Sequence, residues 1–105
     1  MADKEYKTFE EFYPYYLNEH RQVGTRVTHC IGTSLFFMLT ITAIIKGNAQ
    51  FILAGVVSAY FFAWIGHFFI EKNKPATFKY PWMSLKGDFK LYFEILIGKQ
   101  KFKGN

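Results

Sequence analysis

Hydrophobic positions along this chain follow two different rules. Residues 27–45, VTHCIGTSLFFMLTITAII, and 51–70, FILAGVVSAYFFAWIGHFFI, run for 19 and 20 positions without a formal charge. At about 1.5 Å per residue each makes a helix of roughly 30 Å, the thickness of a bilayer's hydrocarbon core. Lys46-Gly47-Asn48-Ala49-Gln50 between them is a short polar turn, so the two runs predict a helical hairpin. The alternative, a pair of core helices in a soluble fold, needs apolar runs longer than such helices usually carry. Outside the hairpin the pattern is periodic. Phe9, Phe12, Tyr13, Tyr16, Leu17 and His20 share one helical face behind a capping box of Thr8 and Glu11, and Pro14 is expected to kink that helix or shift its start. Leu85, Phe89, Tyr92, Phe93 and Leu96 repeat at helical spacing opposite Lys86 and Lys90, which predicts a helix on or near a membrane surface. The expected fold is all-α, one integral membrane domain over 1–105: interfacial helix 8–22, first span 27–45, second span 51–71, interfacial helix 84–98.

Charge sharpens this picture. Of the 21 charged residues, 20 lie outside 27–70, and Lys46 is the exception. That segregation excludes a disordered chain, and the 105-residue length and single cysteine exclude a multidomain protein and a disulfide scaffold. Cys30 lies in an apolar run, where a thiol acts as a small hydrophobe. A hairpin puts both termini on one side. Lys4, Lys7, Arg21 and Arg26 precede it and eight lysines follow it, against one in the turn, so both termini are expected to be cytoplasmic. The membrane would be the endoplasmic reticulum in a eukaryote or the inner membrane in a bacterium. The first dozen residues hold no signal-peptide core, so the whole chain is expected to be mature. With eight bases directly behind an apolar span, the net charge of +5 points to anionic lipid headgroups and not to nucleic acid.

The candidate chemistry lies in three histidines. His29 and His67 fall near the same end of antiparallel helices, hence at one depth. Gly55, Ala59, Ala63 and His67 form an i, i+4 ladder of small residues that turns His67 towards protein, and His29 shares its face with Thr33, Phe36 and Thr40, beside Gly32. His20, nine residues before His29, would join them if the chain bends at Gly24 and Thr25, with Thr25 capping the next helix. A carboxylate from Glu71, at i+4 from His67, or less readily from Asp88, would complete a ligand set. Imidazoles with one carboxylate suit iron, copper or zinc, and three protein ligands with open positions match non-haem Fe(II) oxygenase chemistry. Each histidine taken singly is as readily a hydrogen-bonding or snorkelling residue at a helix end.

The stretches Tyr15-Tyr16-Leu17-Asn18-Glu19-His20-Arg21, His29-Cys30-Ile31-Gly32-Thr33-Ser34 and Ala63-Trp64-Ile65-Gly66-His67-Phe68-Phe69-Ile70-Glu71-Lys72-Asn73-Lys74-Pro75-Ala76-Thr77-Phe78 resemble a small membrane-protein family whose best-known member is the yeast 2-hydroxy fatty acid dioxygenase. The resemblance covers about Phe9 to Phe102. It implies an Fe(II)-dependent dioxygenase of fatty acid α-oxidation that shortens a 2-hydroxy fatty acid by one carbon with molecular oxygen, with the family's histidines at His20, His29 and His67. Glu71 falls in the matched stretch as a ligand or an ion-pairing residue. The implied partners are a long-chain 2-hydroxy fatty acid, oxygen and membrane lipid, and a homo-oligomer sharing histidines between chains is a further option. In such a mechanism Arg21, Arg26, Lys72 or Lys74 would neutralise the substrate carboxylate, while Phe61, Phe62, Phe68 and Phe69 would line the acyl chain's path.

Two other classes compete. Histidines on two helices could ligate a b-type haem for electron transfer, leaving His20 idle. A non-enzymatic membrane adaptor would use only the basic tail and aromatic interface. No Walker loop, CxxC pair, dinucleotide fingerprint or GxSxG elbow occurs, so those chemistries lack their parts.

Overall fold

The computed structural model describes residues 5–103, which form four α-helices and no strand. α1 spans Phe9–Asn18, α2 Val23–Lys46, α3 Gln50–Ile65 and α4 Pro81–Leu96. α3 continues directly into a π-helical turn, Gly66–Glu71, and a 3₁₀ turn, Ala76–Phe78, precedes α4.

α2 and α3 are the hairpin that the uncharged runs predict. Both α2 and the continuous Gln50–Glu71 helix are long and apolar enough to cross a membrane, yet only 22% and 17% of their apolar windows are buried. The core helices of a soluble fold would be mostly covered; here Ile44, Ile45, Leu53, Phe61 and Phe69 point outward. Gly47, at φ 62°, ends α2 in the left-handed conformation, and the N–H of Asn48 then reaches back to the Ala43 carbonyl at 3.0 Å.

The two helices pack backbone to backbone. A Cβ on Gly32 would lie 2.9 Å from the Ala59 carbonyl oxygen, and one on Gly55 3.2 Å from the Phe36 Cα. One on Gly66 would lie 2.7 Å from Thr28 Oγ1. Without a hydrophobic difference between lipid and Leu, such close contact of small residues is what holds membrane helices together.

α1 and α4 pack on each other beside the end of the hairpin where α2 begins and α3 ends. Phe12, Tyr16 and Leu91 are fully buried between them, with Tyr13, Ala76 and Ile95 around them. The apolar face expected for α1 is the buried one. Thr8 Oγ1 accepts the Glu11 N–H at 3.2 Å, and Glu11 returns a bond to the N–H of Lys7, one residue before the capping-box position. Pro14 sits on the exposed side within α1.

α4 uses more of its circumference than its apolar stripe suggests. Ser84, Gly87, Leu91 and Ile95 are buried, and a Cβ on Gly87 would lie 3.1 Å from the Tyr16 ring, so that ring rests on the α4 backbone. Phe89 and Tyr92 of the predicted stripe pack on Phe36 and Phe37 of α2, and the Tyr92 hydroxyl meets Ser34 Oγ at 2.8 Å. Leu85, Phe93 and Leu96 remain exposed.

The bend between His20 and His29 lies at 19–22, ahead of the Gly24–Thr25 pair expected to make it. Thr25 is buried inside α2 and caps nothing. The chain can turn earlier because Glu71, at the end of the hairpin, accepts the backbone N–H groups of Arg21 and Gln22 through Oε1. Its negative charge also faces the positive end of α2. Gly24 lies against Ile70, whose Cδ1 would be 2.9 Å from a Cβ there.

Candidate metal centre

His20, His29 and His67 meet where the two layers join, and each is at most 3% exposed. The His20 ring stands edge-on to His67 with centroids 4.4 Å apart and edge-on to His29 at 5.8 Å. One chain therefore assembles the trio without a second subunit. His29 reaches it from the first turns of α2, His20 from just past the end of α1. His67 comes from the π-helical turn, where the widened helix changes the direction of its side chain; such turns are frequent at functional sites.

The hydrogen bonds around the rings settle their tautomers. His20 Nδ1 lies 2.8 Å from the Tyr16 carbonyl, and His29 Nε2 lies 2.9 Å from the Asp88 carbonyl. A carbonyl only accepts, so both nitrogens carry protons. His67 Nδ1 lies 2.8 Å from Asn73 Oδ1. The Asn73 amide is oriented by its NH2 group, which donates to the Glu19 carbonyl and carboxylate, so its oxygen also accepts. The nitrogens left outside these bonds are Nε2 of His20, Nδ1 of His29 and Nε2 of His67. Burial, followed by the neighbouring His67 and His29, pushes the His20 pKa well below the usual imidazole value and keeps that ring neutral.

Asp88 joins the histidines. His20, His29 and Asp88 each offer a ligand atom within 4.8 Å of the others. The Tyr16 hydroxyl donates to Asp88 Oδ1, and the Tyr16 ring stacks on His20 with centroids 4.1 Å apart. Burial raises the Asp88 carboxyl above the ordinary range, although His29 and the Tyr16 hydrogen bond pull it down. The Tyr16 phenol is itself raised, by burial first and by Asp88 second. A half-buried carboxylate beside imidazole nitrogens, with no salt bridge to it among the described residues, suits a cation.

The other charged residues singled out in the sequence sit around this cluster. Glu71 directs Oε1 to the Arg21 and Gln22 backbone. Arg26 is buried, its Nε donating to the His20 carbonyl and its Nη1 to the Lys101 carbonyl at 2.6 Å, so it ties the tail to the His20 turn. Arg21 and Lys72 are exposed near the same end of the hairpin, and Lys72 closes the π-helical turn with φ 64°. Sequence reasoning ranked Asp88 below Glu71 and passed over Tyr16 and Asn73 as supporting residues. The available signal for Asp88 was its place beside the apolar stripe of α4, three residues after Leu85 and four before Tyr92.

A cavity of about 310 Å³ opens from the cluster between α2, α3 and α4. His29 and Asp88 form its polar end, with the hydroxyls of Thr33 and Tyr60 nearby. Phe36, Val56, Ala59, Ala63, Leu85 and Phe89 make the rest of the wall apolar. Phe61, Phe62, Phe68 and Phe69, which the sequence suggested for an acyl path, are not among its lining residues, and Phe61, Phe68 and Phe69 face outward.

No curated protein and no solved structure matches the chain. A protein-family model does, over residues 6–100, and that span takes in all three histidines, Asp88, Tyr16 and Asn73. With nearly the whole sequence matched, the chain belongs to the Mpo1-like family, described as 2-hydroxy-palmitic acid dioxygenase Mpo1-like.

Proposed function

We propose that this protein is a membrane-embedded, Fe(II)-dependent dioxygenase that shortens a 2-hydroxy fatty acid by one carbon. The observation that carries the reading is the buried trio of imidazoles, two of them grouped with Asp88, with His29 and Asp88 also lining an apolar cavity. The family description supports the substrate class. Imidazole nitrogens with a carboxylate are a donor set that iron(II) accepts, so the residues fit the metal. His20, His29 and Asp88 would hold it, and His67, whose ring centroid lies 4.4 Å from that of His20, would supply a further imidazole. Iron bound there supplies the redox chemistry that lets dioxygen react with a 2-hydroxy acid.

The chain's own groups do the remaining work. The carbonyls of Tyr16 and Asp88 and the amide of Asn73 hold the imidazoles in the tautomers that ligation needs. The apolar walls keep water from the site and receive the acyl chain. Arg21 and Lys72, exposed beside the cluster, attract the carboxylate head, while Arg26 fixes the backbone of His20. The outward apolar faces of α2 and α3 lie in lipid, both termini on the cytoplasmic side, and exposed Trp82, Phe78 and Phe102 sit at the headgroup level. A bis-histidine haem is disfavoured because the His20 ring packs directly against both His29 and His67.

The test is reconstitution. Purified protein stripped with a chelator should lose conversion of 2-hydroxypalmitate to the acid one carbon shorter, regain it with Fe(II), and stay inactive with redox-silent Zn(II). Full activity of the stripped protein, or a strong Soret band in the active protein, would remove the proposal.

Two variants separate ligands from supports. Glu71→Gln keeps an oxygen for the Arg21 and Gln22 N–H groups, so iron content should be unchanged; Glu71→Ala should destabilise the fold by about 1 kcal/mol, as loss of a helix-start contact does. A parallel loss of iron in Glu71→Gln would make Glu71 a ligand. Asn73→Ala releases His67 from its tautomer, and iron affinity measured by competitive chelation should fall on the order of 10- to 100-fold.

A further inference from the structure

The cavity beside the cluster runs along the hairpin and not across it. On α2 its wall passes from His29 to Phe36, and on α3 from Ala63 through Ala59 to Val56. Seven residues on each helix correspond to about 10 Å. His29 and Asp88 supply the polar atoms at the cluster end, while Val56, at the other, is 37% exposed on the outward side of the hairpin. Ala59 keeps the middle open: its backbone lies against Gly32, and its methyl group is the smallest that an L-residue can present to the slot.

We propose that this slot binds the acyl chain of a long-chain 2-hydroxy fatty acid, with the carboxylate end at His29 and Asp88, the chain passing Ala59, and its tail leaving past Val56 into the bilayer. The assignment rests on the iron-site reading above for the orientation of the acid. The occupant follows from continuity and polarity. The same two residues, His29 and Asp88, belong to the metal cluster and to the slot, so a molecule reaching the cluster through it is polar at one end and apolar along its length. A chain longer than the slot loses no contact with apolar surroundings, because the exit faces lipid. Val56 and Ala59 are therefore specificity-determining: bulk there should select against long chains and spare short ones.

Photocrosslinking reads the slot without catalysis. A 2-hydroxypalmitate analogue with a diazirine in mid-chain, added to the metal-free full chain in phospholipid vesicles and mapped by mass spectrometry, should label Phe36, Val56 or Ala59. Labelling confined to outward-facing residues such as Val57 and Phe61 would overturn the proposal. In the iron-loaded protein, Ala59→Leu and Val56→Trp should lower kcat/KM for 2-hydroxypalmitate by at least about tenfold, the scale of a misfit of one methylene or more in an apolar pocket, with 2-hydroxybutanoate, too short to reach Ala59, little affected. Iron content should not change. An unaltered chain-length profile in both iron-replete variants would overturn the slot while leaving the reaction intact. Crosslinks inside the slot in a wild-type protein that turns over no 2-hydroxy acid would uphold the slot and sink the reaction. Where a variant fails to fold, the wild-type crosslinks decide alone.

Discussion

His20→Ala should abolish both iron retention and 2-hydroxy acid turnover, with the largest functional effect of any single substitution in this protein. His20 is the ring that touches both other histidines, and it shares the cluster with Asp88. Its loss removes a ligand nitrogen, takes away the stacking partner of Tyr16 and leaves an apolar void between the layers. Iron affinity should therefore drop by more than the roughly 10- to 100-fold expected when only a supporting hydrogen bond is lost. His29→Ala and Asp88→Asn should lose the metal as well. Asp88→Asn is the informative variant, since it keeps the shape and an acceptor for the Tyr16 hydroxyl but removes the charge. Elemental analysis and turnover on folded protein, judged by circular dichroism, check the series. Stoichiometric iron and unchanged turnover in His20→Ala would end the metal-centre reading.

Gly32→Ala should be the most destabilising of the smallest changes. Its Cβ would lie 2.9 Å from the Ala59 carbonyl oxygen and 3.1 Å from the Ala59 Cα, and neither backbone atom can move without parting the helices. Overpacking of this kind costs about 1–3 kcal/mol and sometimes more. The helices would separate at the slot wall, so iron affinity should fall along with stability. Val57→Ala on the exposed face of α3 alters two carbons where Gly32→Ala adds one, yet should leave stability nearly unchanged, because Val57 touches little protein. Denaturant titration in detergent micelles compares the two. Equal stability of the variants would show that the hairpin is not held by close backbone approach.

The hairpin and the three histidines are legible in the sequence. Length without charge determines two long apolar helices, and antiparallel pairing across a short turn places His29 and His67 at one depth whatever the rest of the fold does. The Gly55–Ala59–Ala63 ladder marked the contact face for the same reason, since a helical period maps spacing directly onto a face. The buried face of α1 was readable too, because its period is carried by large apolar side chains.

Three features were not readable in that way. Ser84 and Gly87, which make up much of the buried face of α4, carry no hydrophobic signal, so the apolar stripe drew attention to Phe93 and Leu96, which stay largely exposed. Glu71 follows His67 by one helical turn in sequence, but the widening of the helix at Gly66–Glu71 and the unfilled N–H groups of Arg21 and Gln22 send its Oε1 elsewhere. Asp88 comes within reach only because Tyr16 can lie flat on Gly87 and hold its carboxylate. Sequence alone determined which groups are apolar, which are histidine and at what depth the hairpin places them, since those follow from local spacing. Tertiary packing decided which carboxylate stands beside the imidazoles, because that depends on a contact between segments some seventy residues apart, which no local period encodes.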